Sequence, residues 1–185
     1  LSSQSFVSRS FHEKKWALFH PFAALKIKKL YKSCRVYYLE VKKANVLDTF
    51  ESGGKLDAFR HVFFMAGFSQ KIKAKKVRKL GVAHEKGNYI HFKKGIKEEG
   101  EIPDSLSTVM DLYNNETGIR IGVENKGLDL ASLKEKVLEE MKLGKVLYFR
   151  RNRNGDYLDC DGNLIRLDDY QKKWFIPKCM IDTGK

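Results

Sequence analysis

The sequence predicts a mainly α fold that closes with a small C-terminal antiparallel β-meander. Three observations carry this expectation. Up to residue 144, apolar residues recur at three- and four-residue intervals, the period of a helix with one buried face. Prolines, glycines and short polar residues punctuate those stretches where helices start and stop, at Pro21, Gly53-Gly54, Pro103-Asp104, Asp129 and Gly144. From residue 145 the texture changes to the strand formers Val146, Leu147, Tyr148 and Phe149, followed by the turn dipeptides Asn154-Gly155 and Asp161-Gly162. The division that follows is a helical domain over residues 1–144 and a small meander with its tail, packed on it as part of the same domain or as an appendage, over residues 145–185.

Taken in order, the Ser-rich residues 1–10 are expected to fray. Residues 11–19 suit a short helix carrying Trp16, and His20-Pro21 breaks it, because the residue before proline avoids helical dihedrals. Residues 22–47 form the longest predicted helix, with Phe22, Leu25, Ile27, Leu30, Tyr31, Cys34, Tyr37, Tyr38 and Val41 at inward spacing. A turn precedes a helix over residues 56–68. The basic run 71–79 reads as solvated helix leading to His84-Glu85, with Gly87-Asn88 as its stop. Residues 88–101 read as a polar connection or flap. Asp104 or Ser105 caps the next helix, and Asp129 caps one whose Leu133, Val137, Leu138 and Met141 point inward. The two later turns imply three strands ending near Leu167, with Trp174, Phe175 and Ile176 docking the tail.

No run approaches the roughly 18 apolar residues of a membrane span. The formal charge is +13, but Lys and Arg are scattered over four stretches without a recognition-helix, zinc-finger or RNA-recognition signature. That speaks against sequence-specific nucleic-acid binding and suits contact with an anionic envelope component, a wall polymer or lipid headgroup. The three cysteines lack metal spacing; Cys160 and Cys179 can bridge, whereas Cys34 reads as a small buried hydrophobe. Leu1 suggests a mature or trimmed chain.

Three polar blocks interrupt the apolar helices. Asp57 and His61 stand one helical turn apart, with Arg60 beside them, so a carboxylate can orient an imidazole next to a guanidinium fork. His84 and Glu85 follow, expected to point in different directions because adjacent helical residues diverge. In the third block Asp111, Asn114, Asn115 and Gly118 form one stripe. Asparagines are poor helix formers, and Gly118 gives up about 1 kcal/mol of propensity, so the stripe needs a reason beyond propensity, such as close approach of another helix at Gly118. His12 and His20 read as surface or packing residues, and His91 as a minor candidate in the connection.

These blocks, D-A-x-R-H at Asp57, Ala58, Arg60 and His61, A-H-E at residues 83–85, and M-D-x-x-N-N-x-x-G from Met110 to Gly118, resemble in order and spacing an uncharacterised all-helical bacterial domain family of secreted, wall-associated and polymorphic-toxin-like proteins. The resemblance covers residues 21–122. It departs at Phe63-Phe64, where the family favours an aromatic pair ending in tryptophan, a difference of packing. No reaction comes with the family; it implies a shared polar centre and an exported setting.

The resulting expectation is a hydrolase acting on an envelope-type substrate. His61, oriented by Asp57, is the candidate general base; Arg60 and Asn115 stabilise developing negative charge; His84 and Asp111 complete the centre, with Glu85 and Asn114 as additional candidates. No cofactor is required. A metal-dependent variant would use His61, His84, Glu85 and Asp111 to hold zinc or another divalent ion. The alternative is a non-catalytic interaction or immunity-like module, in which the same residues are a sealed hydrogen-bond network. His61, His84 and Asp111 are expected to converge, and the meander to be dispensable for the central chemistry.

Overall fold

The computed structural model describes residues 10–98 and 100–184; most of the Ser-rich segment expected to fray lies outside the described residues. Six helices account for the bulk of it: α1 (Phe11–Phe19), α2 (Pro21–Ala44), α3 (Lys55–Lys71), α4 (Ala74–Lys94), α5 (Ser105–Glu124) and α6 (Leu130–Lys142). A two-stranded antiparallel sheet, β1 (Leu147–Phe149) with β2 (Met180–Asp182), follows near the C-terminus.

The centre is α3, which is buried on every side from Leu56 to Ser69. A helix apolar all round must be enclosed, and α2, α4, α5 and α6 all pack against it. The stacked Phe59 and Phe63, with Phe64 and Phe68 edge-on along the same helix, fill the space between them. The closest packing is with α5. A β-carbon on Gly118 would lie 2.3 Å from the Val62 carbonyl oxygen, and one on Gly122 would lie 2.2 Å from that of Ala66. Glycine at both positions lets the two backbones touch, as the sequence suggested for Gly118. Because the pairs advance together, α3 and α5 run in the same direction, and the first turn of α3 lies beside the first turns of α5.

Several boundaries differ from expectation. The basic run does not continue α3: the chain breaks at Ile72-Lys73, with Ile72 extended and buried. Helix α4 then passes through Gly87-Asn88 and ends only at Gly95, whose φ of 63° supplies the left-handed cap. Gly87 serves packing, since a β-carbon there would sit 2.6 Å from that of Ser10, and the Asn88 amide is bonded to Glu85. The connection is therefore only residues 95–104, and His91 belongs to the last turn of α4. Ser10 caps α1 through a reciprocal pairing with Glu13. In α2 the inward face is Ala23, Ile27, Cys34, Tyr38 and Val41, while Phe22 and Leu25 point to solvent.

The meander is looser than expected. β1 pairs with residues of the tail, and the two turns between them contribute single bridges, Arg151 with Tyr157 and Leu158 with Leu164. Asn152 and Asp159 accept backbone N–H groups across their own turns, beside the backbone bonds there. The Cys160–Cys179 disulfide ties the second turn to the tail, and Cys34 is buried and unbridged. Met110, Phe149, Tyr157, Ile165 and Ile176 form a second apolar cluster, so this section packs on α5 through Met110.

Candidate functional site

Asp57 occupies the first turn of α3, where its Oδ2 accepts the Gly53 N–H at 2.7 Å. Its Oδ1 pairs with Arg60 Nη2 at 2.6 Å. The same guanidinium nitrogen lies 3.3 Å from His61 Nε2. A guanidinium can only donate, so Nε2 is the acceptor there and Nδ1 carries the ring proton. That proton is given to Asn115 Oδ1 at 3.1 Å. Across from it, Asp111 Oδ1 is 3.4 Å from Nε2, and Asp57 Oδ1 is 3.5 Å away. Asp57, expected to orient His61, thus stands just beyond hydrogen-bond distance of it; Asn115 holds the ring instead.

All these side chains are buried. Burial, reinforced by the Arg60 charge, holds the His61 pKa well below its ordinary value, so the imidazole is neutral. Burial also drives Asp111 well above the usual carboxylate range, and the charges of Glu85 and Asp57 add to this against the opposing Arg60. Among the described residues, Asp111 Oδ1 and Asn115 Nδ2 have no hydrogen-bond partner although buried. A β-carbon on Gly81 of α4 would come 3.1 Å from Asn115 Nδ2, so glycine there makes room for the amide.

Asp57, Arg60, His61 and Asp111 face a small cleft with room of about 40 Å³, enough for one or a few waters. Its other walls include Ser52, Gly53, His84, Asn88, Glu98, Glu101 and Ser107. His61, His84 and Asp111 therefore line one cavity. His84 sits in the middle of α4, away from the helix end assumed for it, between Glu13 Oε1 and Glu98 Oε1, each 3.4 Å from a ring nitrogen. Burial disfavours its charge, but the Glu13 bond and the charges of Glu98 and Glu85 outweigh that and raise its pKa. For Glu13 burial is likewise overcome, by His84 and Ser10, and its pKa falls to about 2.

Two additional candidates stand away from the cleft. Glu85 is buried behind it, with Asn88 on one oxygen and no partner among the described residues on the other; burial pushes its pKa up to about 7. Asn114 is spent on the fold: its amide donates to the Leu147 carbonyl at 2.8 Å and accepts the Leu147 N–H at 2.9 Å. Sequence reasoning missed Glu98 and Glu101, which fold over the cavity in a turn closed by two reciprocal backbone bonds, with Gly100 at φ 90°. The flap reading of that segment was the signal available. No polar residue of 148–174 lines the cleft, yet Arg151 and Tyr157 bond Glu101, and Arg151 also bonds the Ser52 carbonyl. Lys178 forms a buried pair with Asp104, the N-cap of α5, at 2.8 Å.

Among the described residues, the group whose atoms are close enough to share a metal ion differs from the set expected. Asp57, His61 and Asp111 each offer an atom within 4.8 Å of the others, whereas His84 lies between Glu13 and Glu98 and Glu85 is bonded to Asn88 away from the cleft.

Fold and site together define a mainly α domain built around a buried Asp–Arg–His–Asp–Asn centre beside a small cleft. The chain belongs to the family described as a domain of unknown function, DUF6973, whose sequence model matches residues 14–145. No curated protein and no solved structure matches it.

Proposed function

We propose that the protein is a hydrolase in which His61 and Asp111 are the acid–base pair. The observation that carries this is the incomplete pairing of a buried centre that borders a cleft: Asp111 Oδ1 and Asn115 Nδ2 lack partners among the described residues, which leaves both able to bond a water or a substrate atom. Neutral His61, its tautomer held by Asn115, takes a proton from a water in the cleft through Nε2 once its 3.3 Å contact with Arg60 is released. The hydroxide adds to the substrate, protonated Asp111 gives its proton to the leaving group, and the imidazolium returns one to Asp111. Arg60 balances the developing negative charge. Asp57 positions Arg60, and His84 with Glu98 shapes the cleft. The Cys160–Cys179 disulfide favours an oxidising, exported setting, consistent with an envelope-type substrate and a wall-associated or toxin-like parent chain.

A metal-assisted form of the same reaction has its own support. The 3.4 and 3.5 Å separations of His61 Nε2 from the two carboxylate oxygens match the edge of a tetrahedron with bonds of about 2.1 Å. Arg60 Nη2 holds the cation position between Asp57 and His61, so a metal ion would have to displace it.

The test is a panel of chromogenic esters, amides, glycosides and phosphodiesters, with and without added zinc or manganese. Wild type is compared with His61→Gln and Asp111→Asn, and melts are recorded for both and for Asn115→Ala. Turnover abolished by the first two substitutions, with melting temperatures kept or raised, supports the reading. Absence of turnover together with a loss of about 1–3 kcal/mol in each variant would assign the motifs to a structural network in an interaction or immunity-like module.

A further inference from the structure

The cleft leaves two features unexplained: the positive charge, and the apolar residues turned outward where α1 meets α2. Phe22 is 81% exposed, Leu18 76%, Phe19 68% and Leu25 62%. They lie within eight residues of sequence around the His20-Pro21 corner, and among the exposed apolar side chains these are four of the most solvent-accessible. From residue 14 to residue 39 there are seven Lys or Arg and no Asp or Glu. The basic run 71–79 also holds no acid, and it lies against the same corner, since Trp16 of α1 donates its indole N–H to the Lys76 carbonyl at 3.1 Å. Lys15, Lys26, Lys29, Lys73 and Lys75 are exposed, and among the described residues none has a carboxylate partner.

We infer that the α1–α2 corner, with the start of α4, is a docking surface for an anionic lipid bilayer. Leu18, Phe19, Phe22 and Leu25 enter the headgroup–acyl boundary, and the surrounding lysines meet the lipid phosphates. The composition selects a bilayer over a protein partner. Protein interfaces are depleted in Lys, whereas aromatic and leucine side chains ringed by lysine are the chemistry of interfacial helices on anionic membranes. The corner is also rigid: α1 is anchored on α4 by the buried Trp16, and α2 on α3 by Ile27, Cys34 and Tyr38, so the exposed residues are presented without ordering cost.

The full chain is tested by co-sedimentation with vesicles of phosphatidylcholine alone and of equal parts phosphatidylcholine and phosphatidylglycerol. Binding at least about ten-fold stronger to the anionic vesicles is expected, weakening with salt. Phe19→Ser with Phe22→Ser should abolish it, and Lys26→Glu with Lys29→Glu should reduce it several-fold. All four positions are exposed, so folding is kept, which a melt verifies. Phe22→Trp should give a blue-shifted emission on the anionic vesicles. No binding would overturn the inference, as would binding unaffected by the phenylalanine substitutions, which would be general charge attraction. Sedimentation equilibrium showing a dimer that those substitutions dissociate would also overturn it, making the corner a self-association face.

Discussion

At the scale of single residues, the centre is a set of groups whose proton affinities burial has moved away from their values in water. The His61 pKa lies well below its ordinary value, that of Asp111 well above the carboxylate range, and that of Glu85 is pushed up to about 7. The sequence marked all three as polar exceptions on apolar helices, and their identities were legible. Their pairings were not, because partner choice depends on rotamers and on segments far away in sequence. Asn115, assigned to charge stabilisation, holds His61; Glu13, read only as part of a short helix, pairs with His84. Glu85 gives a test with a definite sign. Its folded pKa is raised above the unfolded value of about 4.5, so unfolding releases a proton between about pH 4.5 and 7. The native state is therefore penalised progressively across that window and uniformly above it. Glu85→Gln should melt like wild type near pH 4 and be more stable by about 1–3 kcal/mol at pH 8. A stability difference that does not change with pH would show that burial is not what sets the Glu85 titration.

At the scale of elements, the existence of the helices was readable from period and caps, as Asp104 and Asp129 show by capping α5 and α6. Boundaries failed where a residue with breaker chemistry was used for packing. Gly87 and Asn88 look like a stop, yet one admits Ser10 and the other holds Glu85. The α3–α5 contact is the element-level basis of the site, since it brings Asp57 and His61 beside Asp111 and Asn115. It rests on Gly118 and Gly122, four apart, each meeting backbone where a β-carbon would stand. Backbone cannot yield as a side-chain tip can, so Gly118→Ala must push α5 off α3. A destabilisation of about 2–4 kcal/mol is expected from this overpacking, with the His61–Asn115 bond lengthened. The imidazole resonances of His61, followed by NMR against pH, should then move towards an ordinary histidine titration. A variant as stable as wild type would mean that the two helices are not in this contact.

At the scale of the whole molecule, residues 145–185 carry none of the three motifs, and the sequence made them look separable. Their composition was legible; their partners were not, because each contact spans tens of residues. The structure shows them inserted into the start of α5. Asn114 is bonded twice to Leu147, and the Ser105 N–H is bonded to the Trp174 carbonyl at 2.8 Å. Lys178 neutralises buried Asp104, and Phe149 and Ile176 cover Met110. A chain ending at Gly144 would strip all of these at once. Removing one partner of a buried ion pair costs about 3–5 kcal/mol, and leaving a buried amide unpaired costs about 1–3 kcal/mol. Exposing Met110 adds about 1.5–3 kcal/mol. Together these rival the about 5–15 kcal/mol that holds a typical domain folded. The shortened chain should therefore show no cooperative melt by circular dichroism, and its amides in the first turns of α5 should exchange freely. A cooperative transition within a few degrees of the full chain would make residues 145–185 an appendage, and would leave Arg151 and Tyr157 with no part in holding Glu101 over the cleft.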